Sequence, residues 1–284
     1  MNVNRLQLIR VLQCTNVDYT DIYAMDGVII MKIGICAAIS ELSKVQSIGF
    51  DYIEWSVADA ASMSYEGFAE VHRKVEESSI KVEACNCFFP WGMKIVGPEA
   101  DFASITEYIK MALHRVAALG AKTVVVGSGG AREVPNGWDM EEGIKQFGEV
   151  LRKIGEIGAQ YGIIAVVEPL NKGETNIINS VADGLAFVKK VNHPNVKLLA
   201  DFYHMRLENE SMDVLIATGD ELKHMHIANS NERTFPKKAG EDDYAGFFNA
   251  IKSIAYNGRL SIEAYSKDFD FDAPESMRFL NSMI

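Results

Sequence analysis

Residues 163–176 read IIAVVEPLNKGETN, and the first six of them decide the fold. Ile163 to Val167 form an uninterrupted apolar run, rich in β-branched residues, that stops at Glu168 and Pro169. A run apolar at every position suits a strand buried on both faces, as in a parallel sheet. Pro169 disfavours the helical region for Glu168 and marks where strand gives way to loop. A carboxylate therefore falls at the carboxyl end of a buried parallel strand, where α/β barrels and doubly wound sheets keep their chemistry.

The same event recurs three times downstream. NVKLLAD stops at Asp201, LKHMH at His226 and GRLSIE at Glu263. One strand plus its crossover helix takes roughly 30 residues, so Glu168, Asp201, His226 and Glu263 fall at the same end of four successive βα units. Three carboxylates and an imidazole converging on one mouth would repel one another without a cation. An oxygen-rich set with a single histidine suits Mn²⁺, Mg²⁺ or Co²⁺ better than a thiolate-seeking metal.

Working outward, a βα alternation runs from Met31 to the end of the chain. Strands are expected at KIGICA, DYIEWS, IKVEACN and AKTVVVG, then at the four runs already quoted. Eight parallel strands alternating with helices give an α/β fold, a single (β/α)₈ TIM barrel over 31–284. A doubly wound open sheet is the alternative, but four consecutive strand ends would there spread along too wide an edge to share one site. Residues 1–30 show no clean period and no partner repeat, and are expected to be an N-terminal extension or the product of an early start codon.

The chain has 284 residues, enough for one barrel, and 48% of them are apolar, enough for a sizeable core. Its formal charge of −11 argues against a nucleic-acid surface, which needs a basic face. No apolar run approaches the length of a membrane span, and the N-terminus lacks a signal-peptide pattern. Four cysteines with no C-x-x-C pair point to a reduced, cytoplasmic setting. Cys85 and Cys87, two apart on an expected strand, read as core or pocket-lining residues.

Several further residues fall near the expected mouth. Glu174 and Asn176 follow Glu168, and His204 follows Asp201 by three; these are candidates for substrate contact. His224 shares a strand face with His226 one layer deeper and reads as a core histidine. Glu54 is a candidate to point to the mouth. The loop Gly127-Ser128-Gly129-Gly130 could cradle phosphate through its N–H groups, but lacks the Lys-Ser/Thr of a P-loop, and reads equally as a close-packed turn. The aromatic loop Phe88-Phe89-Pro90-Trp91 could form an apolar lid, with Trp91 against substrate.

Taken together, E-P-L-N with a second glutamate six residues after the first, D-x-x-H, H-x-H and a final I-E-x-Y resemble the xylose-isomerase-like barrel superfamily. Within it they resemble the sugar-phosphate isomerase/epimerase group that includes D-tagatose and D-psicose (allulose) 3-epimerases. The resemblance covers 31–284. It implies an isomerase of carbohydrate metabolism acting on a ketose or ketose phosphate. It implies one divalent metal per chain, commonly Mn²⁺, held by Glu168, Asp201, His226 and Glu263. Glu168 and Glu263 would also be the acid/base pair, with Glu174, His204 and Arg233 holding the substrate. One departure stands out. The ketose epimerases carry H-x-G-E-x-N-R after the metal histidine, whereas this chain reads His226-Ile-Ala-Asn229-Ser-Asn231-Glu232-Arg233, with the glutamate replaced and the arginine one position late.

Three rivals share the scaffold. Aldose–ketose or hydroxypyruvate-type isomerisation differs only in where the proton returns. An apurinic endonuclease would need extra histidines after strands three and four, where this chain has Asn86 or Cys87 and Gly127 or Ser128. A non-catalytic sugar-binding barrel would not need the full ligand set. The sequence leaves open a homo-oligomer, dimer or tetramer.

Overall fold

The computed structural model describes residues 31–284. The expectation for residues 1–30 lies outside the described residues. The element order is β1 (Lys32–Cys36), α1 (Leu42–Ile48), β2 (Tyr52–Ser56), α2 (Val57–Ser62), α3 (Tyr65–Glu77), β3 (Val82–Asn86), α4 (Phe102–Ala118), β4 (Thr123–Val126), α5 (Gly129–Arg132) and α6 (Met140–Ala159). It continues with β5 (Ile164–Val167), α7 (Val181–Val191), β6 (Val196–Asp201), α8 (Phe202–Leu207), β7 (Leu222–Ile227), α9 (Tyr244–Ser253), β8 (Arg259–Ile262) and α10 (Phe269–Met283).

The eight strands pair in sequence order, all parallel, and β8 pairs with β1 to close the barrel. Closure settles the choice against an open sheet. It also explains the apolar runs: every residue of β4 is buried, as are Ala165 to Val167 of β5, because one face meets the barrel interior and the other the helices.

Helix boundaries follow the local chemistry. Asp139 caps α6 by accepting from the Glu142 amide at 2.8 Å, and Ser180 caps α7 by accepting from Asp183 at 3.0 Å. In α4 the buried face is Ile105, Ile109, Ala112, Leu113 and Val116. Met111, which lies near that spacing, is instead partly exposed.

Two local differences from expectation matter for the site. Strand β3 ends at Asn86, and Cys87 beyond it has a left-handed φ of 47°. The two cysteines therefore do not share a strand face: Cys85 is buried and Cys87 exposed. The chain after Asp201, where the end of a βα strand would ordinarily open into a loop, forms the short helix α8. Phe202 is fully buried against Tyr244 and Phe247, with ring centroids 5.1 and 5.2 Å apart. Burying a ring of that size contributes roughly 1.5–3 kcal/mol, and it pins the turn that carries His204.

Candidate active site

Glu168 stands one residue past β5, Asp201 ends β6, His226 lies in β7 and Glu263 stands one residue past β8. One ligand atom from each lies within 4.8 Å of all the others. His226 Nδ1 is 3.1 Å from Glu168 Oε1 and 3.3 Å from Glu263 Oε2. The four residues that end apolar runs in the sequence thus meet at one point.

The surroundings suit a divalent cation. Asp201 uses Oδ1 to cap α8, accepting from the Tyr203 amide at 2.9 Å, while its buried Oδ2 has no hydrogen-bond partner. A buried anionic oxygen without a hydrogen bond is costly, and Arg233, 3.6 Å away, meets it only as a long ion pair. Burial, then the charge of Glu168, push the Asp201 carboxyl up to about 7, though Arg233 opposes the shift. Burial and the Glu263 charge also raise Glu168. Glu263 moves the other way: burial opposes ionisation, but His226, Arg233 and Asn86 outweigh it and hold it low. His226 is raised despite its burial, by Glu263 and Glu54. Three carboxylates and one imidazole, with two oxygens resisting ionisation unaided, are the donor chemistry of Mn²⁺, Mg²⁺ or Co²⁺.

The substrate candidates divide. His204 is buried, and its Nδ1 accepts from the Asn171 backbone amide at 3.2 Å. In the neutral ring Nε2 therefore carries the proton, and Nε2 is buried without a partner, 3.5 Å from Asp201 Oδ2. Burial and the nearby Arg233 charge lower its pKa to about 3, so the ring stays a neutral donor. Glu174 is held by Asn171, whose Nδ2 donates to its Oε1 at 3.0 Å. Asn176 is engaged by the backbone: its amide pairs with both backbone groups of Val134.

Arg233 reaches the site although it is one position late. Glu232 and Arg233 both adopt left-handed φ, 61° and 52°, which tightens the turn around the additional residue. The guanidinium lies 2.5 Å from Glu263 Oε2, 3.5 Å from Glu174 Oε1 and 3.6 Å from Asp201 Oδ2, over the Tyr203 ring. Asn229, where the related pattern has glutamate, instead accepts from the Asn231 amide and helps form that turn.

Trp91 is 99% exposed, its ring outside the packed part of the aromatic loop. Its neighbours Phe88 and Phe89 are buried against Tyr108, so the aromatic loop is anchored by the two phenylalanines and leaves the tryptophan outside.

Other residues join the site that sequence reasoning passed over or read differently. Asn86 donates from Nδ2 to Glu263 Oε1 at 2.7 Å. Arg132, fully buried, donates to the Glu168 carbonyl at 2.7 Å and stacks on Phe147. Burial lowers its pKa to about 10, so it stays charged at neutral pH. The glycine-rich loop is explained by packing. A Cβ at Gly127 would lie 2.2 Å from Glu168 Oε2, and one at Gly129 2.4 Å from the Glu174 carbonyl oxygen.

Residues 42–283 match the Xylose isomerase-like TIM barrel family, and the chain belongs to it. Its relatives include proteins named as epimerases, enzymes of the isomerase class. It is 37% identical over 119 residues to L-ribulose 3-epimerase of Methylomonas sp., a stretch covering 42% of this chain and 41% of that protein. It is 28% identical over 235 residues to D-psicose 3-epimerase of Agrobacterium fabrum, covering 80% of this chain and 78% of that protein. In fold it is similar to a crystal structure of D-allulose 3-epimerase from Methylomonas sp., with a TM-score of 0.78 and 24% identity over 90% of this chain and 99% of that one.

Proposed function

We propose that this protein is a sugar epimerase that interconverts free ketoses differing at C3, with one divalent metal per chain. The observation that carries the reading is the convergence of Glu168, Asp201, His226 and Glu263 on one buried point. Those four residues would hold the cation, Mn²⁺ before Co²⁺ or Mg²⁺. When bound, it supplies electrophilic polarisation of the ketose oxygens and offsets the clustered negative charge.

The chain's own groups account for the proton movements. A C–H beside a ketone is weakly acidic, and its loss needs a base on one face and an acid on the other to invert the centre. Glu168 and Glu263 have environments that push their affinities for protons apart, which fits one entering the reaction protonated and the other ionised. The ring of His204 donates from Nε2–H to a sugar oxygen. Arg233 and Glu174 orient the hydroxyls beyond the reacting carbon. The space beside Gly127 and Gly129 is filled by Glu168 and the Glu174 backbone, which leaves little room for a phosphate there and supports an unphosphorylated sugar. Among the described residues no helix is long and apolar enough to cross a membrane.

Turnover in D₂O tests the reaction. Epimerisation at C3 through an enediolate places solvent deuterium at C3 of the product ketose, with no aldose formed. Label at C1 or C2 together with an aldehyde signal in the NMR spectrum would assign an isomerase instead. Product formed from a ketose without any label would exclude the enediolate route.

A further inference from the structure

Glu54 is fully buried in β2 and takes no part in the chemistry above. Its Oε1 lies 3.1 Å from His226 Nε2, and its Oε2 lies 2.8 Å from His224 Nε2 and 2.5 Å from Ser261 Oγ. Ser261 Oγ is in turn 2.7 Å from the Tyr52 hydroxyl. All these groups are fully buried. An ionised carboxylate can only accept, so each neighbour must donate. Tyr52 then donates to Ser261, Ser261 to Glu54, and both histidines give an Nε2–H to the same carboxylate. His224 Nδ1 has no partner, consistent with a bare lone pair on that side of the ring.

We propose that Glu54 is the positioning residue that fixes which nitrogen of His226 is offered to the metal. The proposal rests on the metal reading of the site. His226 Nδ1 faces Glu168 Oε1 at 3.1 Å and Glu263 Oε2 at 3.3 Å. Those two acceptors alone would draw the proton of a neutral imidazole onto Nδ1, where it would occupy the lone pair a metal needs. Glu54 on the opposite side holds the proton on Nε2 and leaves Nδ1 as the donor atom. It also fixes the ring plane, since both ring nitrogens are constrained at once. Carboxylate partners of metal-binding histidines act in this way, and their loss weakens metal binding roughly 10–100-fold.

The test is the affinity for Mn²⁺, read from the electron paramagnetic resonance signal of the free ion. Glu54→Gln keeps the shape but puts an NH₂ against at least one of the three donors. If that NH₂ faces His226, the ring must accept on Nε2 and carry its proton on Nδ1. We expect wild-type protein to bind about one Mn²⁺ and Glu54→Gln to bind it roughly 10–100-fold more weakly. Tyr52→Phe breaks the chain beyond Ser261 while leaving the contact between Glu54 and His226, and serves as the control for a merely structural role. It should lower thermal stability and shift Mn²⁺ affinity by less than about threefold. Should Glu54→Gln not fold, Glu54→Asp keeps the charge but withdraws it from the rings, and should weaken Mn²⁺ binding about tenfold. Wild-type affinity in the folded Glu54 variant overturns the proposal, as does an equal loss in Tyr52→Phe. A wild-type protein that binds no Mn²⁺ overturns the metal reading itself, and the proposal with it.

Discussion

The two halves of the barrel contribute to one site in different ways. Strands β5 to β8 each deliver an ionisable residue at the carboxyl end: Glu168, Asp201, His226 and Glu263. Strands β2 to β4 deliver the support. Glu54 backs His226, Asn86 holds Glu263, and Gly127 makes room for the Glu168 carboxylate. On the proposed reading, function is divided between an arc that does chemistry and an arc that fixes where the chemistry points. Activity should then depend on both, because catalytic groups misplaced by as little as an ångström lose much of their effect.

The sharpest way to break this division is to remove charge from the chemical arc. Glu168→Gln and Glu263→Gln each remove a charged ligand and a proton-transfer group, and kcat should fall by roughly 10³-fold or more. Near-normal turnover in either variant would refute its acid/base role. The supporting arc should show a smaller but clear effect. Gly127→Ala puts a methyl 2.2 Å from Glu168 Oε2, so the carboxylate must move. A fall in kcat of roughly 10–100-fold is expected, with the fold intact by circular dichroism. Unchanged kinetics would mean that Glu168 does not act from this position.

This division also explains what could be read in the sequence. The chemical arc was legible because a charged residue ending an apolar β-branched run is unusual, and four such endings at βα spacing coincide for a reason. The supporting arc carried no such signal. Glu54, inside DYIEWS, reads as a candidate to point to the mouth, but nothing in that strand says that it meets His224 and His226. Asn86 and Gly127 look like ordinary strand-end residues, and Gly127 reads as part of either a phosphate loop or a close-packed turn until the carboxylate behind it is known. Arg132 had no sequence signature at all, since only the fold brings it under Glu168. The reach of Arg233 depends on two consecutive left-handed residues, a backbone feature that spacing does not encode. The aromatic run Phe88-Phe89-Pro90-Trp91 does not say which of its rings are packed: Phe88 and Phe89 are buried and Trp91 is exposed.

A third test concerns protons within the chemical arc. Burial, then Glu168, raise the Asp201 carboxyl to about 7 in the metal-free protein, against about 3.9 in an unfolded chain. The folded state thus binds this proton more tightly than the unfolded state. Its stabilising contribution is present below about pH 4 and declines as pH rises towards 7. The metal-free protein should therefore lose several degrees of Tm between about pH 5 and 8. Mn²⁺ needs the ionised carboxylates, so its affinity should rise over the same interval. Differential scanning calorimetry with and without Mn²⁺ checks both, and a metal-free Tm that rises with pH across this window would contradict the raised pKa.

The smallest effect should come from Trp91, on the rim of the supporting arc. The sequence suggests a lid, whereas the structure leaves the ring 99% exposed and gives the anchoring to Phe88 and Phe89. A side chain that contacts no substrate contributes to neither ground-state nor transition-state binding, so its removal should be nearly silent. Trp91→Ala should change kcat and KM by less than about twofold, within the range of ordinary surface substitutions. Phe89→Ala should be far more disruptive, because it empties a packed site between Phe88 and Tyr108 whose rings lie 4.9 and 5.8 Å away. A cost of roughly 3–5 kcal/mol in stability is expected there. If Trp91→Ala instead raised KM tenfold without loss of stability, the loop must close over bound sugar, and Trp91 would belong with His204 and Arg233 among the substrate contacts.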